Sequence, residues 1–184
     1  MKKQILAVSA VALGLLVNST FVMAQSKTEW KPMREGVFNS ENFKSTVNFE
    51  EKETLLKLWE RELANPRPHS SGGFYPSFAL YGDVRDGGAK IVFSIFSTAG
   101  SDRCSTAENG ASAHDSYIVC KLRITKWPNT NGHVDLPNYC MIFGEEPGQD
   151  RIEYAYDSKE RAIKFRAIQY GKVVPSCNRT LKIS

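Results

Sequence analysis

Four cysteines, Cys104, Cys120, Cys140 and Cys177, all fall in the C-terminal half of the chain, and they narrow the range of folds more than any other feature. What they do depends on compartment, because thiols stay reduced in the cytosol and pair in an oxidising space. The first residues address that question. Lys2 and Lys3 precede an apolar run from Ile5 to Val17, and Val22-Met23-Ala24 supplies the small residues a signal peptidase reads. Residues 1–24 therefore read as a secretory signal peptide, with the periplasm or the medium as destination. The apolar run is too short to span a bilayer, and no later stretch is long and apolar enough to do so. No transmembrane segment is expected after cleavage.

An even number of cysteines in an exported chain points to two disulfides, with three connectivities open. Spacings of 16, 20 and 37 residues contain no close Cys-x-x-Cys pair, so a structural zinc site is not expected. Pairing also argues against Cys104 as a nucleophile activated by His114, since oxidation removes the thiolate that such catalysis needs.

Without the leader, 160 residues remain, enough for one domain with its own core. The leader holds two lysines and no acid, so the remaining 22 bases and 20 acids leave a net charge of +2. Charge is uneven along the chain. Glu35 to Asn65 holds seven Glu against four Lys or Arg, whereas Arg151 to Ser184 holds eight Lys or Arg against three acids. Complementary packing or solvation of two faces explains this, as does an anion-binding face or an acidic partner.

Residues 25–46 read as an extended, partly docked N-terminal arm, and residues 47–184 as a single β-rich domain. The segment NFEEKETLLKLWERELANP carries a helix signature: Asn48 caps, Glu51 follows three residues on, Leu55, Leu56, Trp59 and Leu63 form the expected apolar stripe, and Pro66 stops it. Beyond Pro66 the chain alternates. SFALYGDV and KIVFSIFST flank Arg85-Asp86-Gly87-Gly88, a tight hairpin signal. SYIVCKLRITKW places Ile118, Cys120, Leu122 and Ile124 inward, with Val119, Lys121, Arg123 and Thr125 outward. WPNTNGHVDLPN reads as a loop and NYCMIFGE as a short strand. RIEYAYD and RAIKFRAIQYG form a second hairpin around Asp157-Ser158-Lys159-Glu160, and RTLKIS closes the chain as an edge strand. Ser105 to Asp115 reads as the most mobile loop. The expected fold is α+β and mainly β: an antiparallel meander or sandwich of six to seven strands, one N-terminal helix packed on it, and disulfide staples.

Chemistry is sparse. His69, His114 and His133 stand in loop-like contexts without metal-ligand spacing and are the alternative catalytic candidates, an acid/base pair being the form such a site takes. Glu145, Glu146 and Asp150 lie in a Pro-Gly turn and lack the rigid separation a glycosidase needs. No phosphate-binding loop, metal site or cofactor motif occurs. The basic and aromatic residues Lys164, Arg166, Tyr170 and Lys172, with Lys121 and Arg123 from another strand, are the candidate binding surface. In an exported protein nucleic acid is not the expected ligand. Another protein is the expected partner, with an anionic polymer or lipid headgroup as alternatives. The resulting expectation is a binding module, for example an inhibitor or immunity protein directed at an enzyme that attacks the cell envelope. The alternative is a small hydrolase or nuclease using the loop histidines.

Overall fold

The structure, a computed structural model, describes residues 28–106, 117–143 and 150–183. The expected signal peptide, His114, most of the segment Ser105 to Asp115 expected to be a mobile loop, and the Glu145-Glu146 pair lie outside the described residues. Three layers stack: a helix, a six-stranded sheet and a four-stranded sheet, every strand pairing being antiparallel. The strands are β1 (Lys31–Pro32), β2 (Arg34–Phe38), β3 (Ser77–Asp86), β4 (Ala89–Thr98), β5 (Cys104–Thr106), β6 (Ile118–Lys126), β7 (Val134–Met141), β8 (Arg151–Asp157), β9 (Ala162–Gln169) and β10 (Lys172–Lys182). Helix α1 spans Phe49–Leu58 and a single further turn, α2, spans Glu60–Leu63. The smaller sheet runs β1-β8-β9-β10 and the larger β2-β3-β4-β6, with β5 sharing one edge of β6 with β4 and β7 on the opposite edge.

Local chemistry builds these elements. The Asn48 side chain accepts from the Glu51 N–H at 2.9 Å while the Glu51 carboxylate accepts from the Asn48 N–H at 3.0 Å, a reciprocal cap. Leu55, Leu58 and Trp59 are buried, following i, i+3, i+4 spacing, whereas Leu56 is 38% exposed. Leu58 thus takes the place expected of Leu56 in the apolar stripe. Gly87 and Gly88, both at positive φ, close the β3–β4 hairpin, and the Asp157 carboxylate accepts from the Lys159 and Glu160 N–H groups to turn β8 into β9.

Strand β4 lies at the centre of the stack, and its residues from Ile91 to Phe96 are all buried. Val92 and Phe96 face the helix; Ile91, Phe93 and Ile95 face the second sheet. A Cβ at Gly82 would collide with the Phe93 ring opposite it, so only glycine permits this approach. Between the sheets, Phe93 meets Tyr154 and Phe165 edge-on at 4.9 and 5.3 Å, and Leu80, Leu122, Tyr139 and Ile163 complete the core.

The N-terminal arm supplies one strand to each sheet, through β1 and β2. The outer edge of β2 is covered by the chain that follows it: Thr46 and Val47 N–H donate to the Glu35 carbonyl. Strand β7 begins at Val134, inside the segment expected to be a loop. Its Pro137 is tolerated because, among the described residues, β7 pairs only with β6, and Pro137 and Asn138 together oppose Lys121 in a bulge where Asn138 has φ of 68°. Cys104 pairs with Cys120 across neighbouring strands, and Cys140 pairs with Cys177, joining one sheet to the other.

Candidate functional site

Alternation along β9 turns Ile163, Phe165 and Ala167 into the core and Lys164 and Arg166 onto the outer face of the four-stranded sheet. Cross-strand pairing sets Arg166 opposite Glu153 and Lys164 opposite Ala155. Arg166 donates through Nε and Nη2 to Glu153 Oε2 at 2.7 and 2.6 Å, and Arg151 Nε donates to Glu153 Oε1 at 2.7 Å. One carboxylate therefore serves two guanidinium groups. Burial by itself raises the Glu153 pKa, but these two arginines outweigh it and hold the carboxyl below its ordinary range. Lys164 pairs with Asp157 at 3.1 Å and with Glu160 at 3.7 Å; the bond to Asp157 chiefly raises its pKa. Pairing of β1 with β8 brings Trp30 over this face, and the Arg166 guanidinium carbon lies 4.1 Å from the Trp30 ring centre.

Strand β10 adds a wall. Val174 pairs with Ala167 and Arg179 with Phe165, so Pro175, Ser176, Cys177 and Asn178 are extra residues opposite Arg166. This protrusion is braced from several directions. Cys177 is bonded to Cys140; Arg179 Nε donates to the Asn138 carbonyl at 2.8 Å, and its Nη1 donates to the Ser176 and Asn178 carbonyls at 2.9 and 2.8 Å. A groove of about 340 Å³ results, lined by Trp30, Lys164, Arg166, Val173, Asn178 and Arg179 among others, with no acidic side chain among the described residues lining it. Val173 is 44% exposed. Tyr170, 64% exposed, sits with Gly171 in the β9–β10 turn, where its N–H donates to Asp150, and Lys172 follows it on the exposed start of β10.

Of the six candidate binding residues, Lys164 and Arg166 line the groove, and Tyr170 and Lys172 lie at the turn of the same hairpin. Lys121 and Arg123 belong to the other sheet. Arg123 does not face solvent, as its outward alternation had suggested, because the helix covers that face; only 6% of it is exposed. Trp30, Arg179 and the protrusion escape sequence reasoning, because none lies in a periodic run with Lys164 and Arg166.

Under the helix is a second assembly of the same residue types. The Arg123 guanidinium lies 4.1 Å and that of Arg103 4.5 Å from the Trp59 ring centre, while Phe96 stacks on Trp59 at 5.0 Å and Ser94 Oγ accepts from Trp59 Nε1 at 2.9 Å. Arg123 donates to Asp135, Glu62 and the Leu58 carbonyl, and Arg103 donates to Asp135 at 2.8 Å. Burial pushes the Asp135 carboxyl up, but the hydrogen bonds from Arg123 and Arg103 overcome this and drive it far below the usual carboxylate range.

The described histidines engage their own loops. His69 Nδ1 meets Ser71 Oγ and its ring rests on Tyr75, while His133 Nδ1 meets the Thr130 carbonyl at 2.8 Å. Cys104 is committed to its disulfide. A second cavity, about 440 Å³, lies beside Asp83, Arg85, Tyr154 and Tyr156. Its two tyrosine hydroxyls are spent on holding the β3 end, donating to the Asp83 carbonyl and to Asp86. Among the described residues no cluster of three or more His, Cys, Asp or Glu is placed to hold a metal ion. No family model, no curated protein and no solved structure matches this chain.

Proposed function

We propose that this chain is an exported protein-binding module, of the kind that acts as an inhibitor or immunity protein against an enzyme attacking the cell envelope. It engages its partner through the outer face of the four-stranded sheet. The observation that carries this reading is the groove beside the braced β10 protrusion, where Trp30, Arg166 and Arg179 meet at a partly open surface. Tryptophan and arginine are the residue types on which binding energy concentrates at protein interfaces. A rigid protrusion loses little conformational freedom when a partner closes on it. The two disulfides suit an oxidising compartment.

The test is site-specific cross-linking in the compartment where the protein accumulates, using a photoreactive residue at Val173 in the wild-type background and with Trp30→Ala/Arg179→Ala. A discrete protein adduct that disappears in the double variant supports the reading, provided both proteins melt alike. An adduct unchanged by the double variant overturns it. So does loss of biological effect in His69→Ala/His114→Ala/His133→Ala with the adduct intact, which would establish the hydrolase or nuclease alternative.

A further inference from the structure

Building on that reading of the sheet face, we infer that the groove between Trp30, Arg166 and Arg179 receives a carboxylate-bearing segment of the partner protein. Charge carries the inference. Among the described residues three cations, Lys164, Arg166 and Arg179, line the groove and no acid does. Lys164 and Arg166 are partly neutralised from outside it, by Asp157 and Glu160 and by Glu153. Glu153 is shared between Arg166 and Arg151. Arg179 has no carboxylate partner among the described residues. Its Nε and Nη1 donate to neutral carbonyls, which orient the guanidinium without cancelling its charge. With Nε and Nη1 so engaged, the Nη2 donors remain for a charge-assisted hydrogen bond to a carboxylate. Trp30 and Val173 offer the apolar contact that the stem of a glutamate, or a neighbouring apolar residue, would cover.

The same observations choose between classes of anion. A membrane surface selects clusters of basic residues uninterrupted by acids. Here Asp157 and Glu160 stand on the same hairpin as Lys164, and a flat anionic surface would meet them at the same time. A long anionic polymer needs cations tracking along a path, whereas these converge in one groove. Strand addition is disfavoured as well, since Pro175 and the protrusion interrupt β10 and Lys172 and Lys182 stand at its ends. An acidic side chain projecting from a folded partner would enter a groove whose described lining carries three cations and no acid.

The experiment uses the oxidised mature chain labelled for NMR. One probe is a short acetylated and amidated peptide of alternating glutamate and alanine; the other replaces each glutamate with glutamine. The expected result is a titratable shift of the Trp30 indole N–H, assigned by its loss in Trp30→Phe, with the glutamate peptide. It should weaken about tenfold or more in Arg179→Glu or in about 0.5 M salt, where charges are screened within a few ångströms. The glutamine peptide should bind at least about tenfold more weakly, as expected when a close charge pair is lost. Equal binding of the two peptides at Trp30 would overturn the acidic specificity and leave the sheet face as the interface. No shift with either peptide would overturn the inference, while the cross-linking at Val173 decides the face independently. Shifts confined to the helix side would overturn both. Tighter binding at Trp30 of phosphatidylglycerol vesicles or of an acidic polysaccharide than of the glutamate peptide would overturn the choice of a protein ligand.

Discussion

Trp59 and Trp30 each lie against an arginine at 4.1 Å, yet their surroundings differ in both cover and charge. Around Trp59, which has no exposed surface, Arg103 and Arg123 face Glu62 and Asp135, two charges of each sign. The groove beside Trp30 is lined by Lys164, Arg166 and Arg179 and, among the described residues, by no acid, while Arg179 donates to carbonyls rather than to a carboxylate. A layer that covers charge must enclose equal numbers of both signs, because an uncompensated buried ion costs several kcal/mol. An open groove is under no such constraint. The same tryptophan–arginine–carboxylate chemistry thus fastens a helix where a third layer covers it and lines an open groove where none does.

The largest expected effect tests the covered site. Trp59→Ala should lower unfolding free energy by roughly 3 to 5 kcal/mol in a urea titration, since it empties a filled core position and frees Ser94 and both arginines. Trp30→Ala should cost under about 1 kcal/mol. Equal losses would erase the distinction. Arg123→Ala comes next, at about 2 to 3 kcal/mol. It strips Asp135 and Glu62 of a shared partner, and because both carboxylates retain some solvent contact the low end of buried-pair losses applies. Arg166→Ala should cost about 1 kcal/mol or less, because Arg151 still holds Glu153.

Acid sharpens the same contrast. Asp135 and Glu153 both have folded-state pKa values below their unfolded ones, so their contribution to stability is complete above about pH 4 to 5 and is lost as pH falls through the folded values. The melting temperature should therefore drop on acidification below that range. Asp135→Asn should flatten the acid limb more than Glu153→Gln, because the Asp135 carboxyl is held farther below its ordinary range. The smallest expected effect on stability is that of Arg179→Glu, within about 1 kcal/mol, although it should abolish partner cross-linking at Val173.

How much of this was legible depended on the distance over which each signal acts. The Asn48 and Glu51 cap, the Gly87-Gly88 turn and the Asp157 turn are decided within a few residues, and each is present. Strands β1, β2 and the first half of β7 lack strong local pattern and exist because of what they pair with. Alternation placed Arg123 on the correct side of β6. It carried no information on whether anything would lie over that side, and the helix does.

The sequence by itself determined the mainly β architecture, the single capped helix, the even set of cysteines and the outward alternation of Lys164 and Arg166, because periodicity and turn chemistry act between near neighbours. Tertiary structure alone decided which cysteines pair, which of the two outer sheet faces the helix covers, and that Trp30 and Arg179 stand beside Arg166. Those outcomes depend on how sheets stack and which edges meet. They minimise exposed apolar area and buried net charge over the whole molecule, and no short stretch of chain encodes that balance.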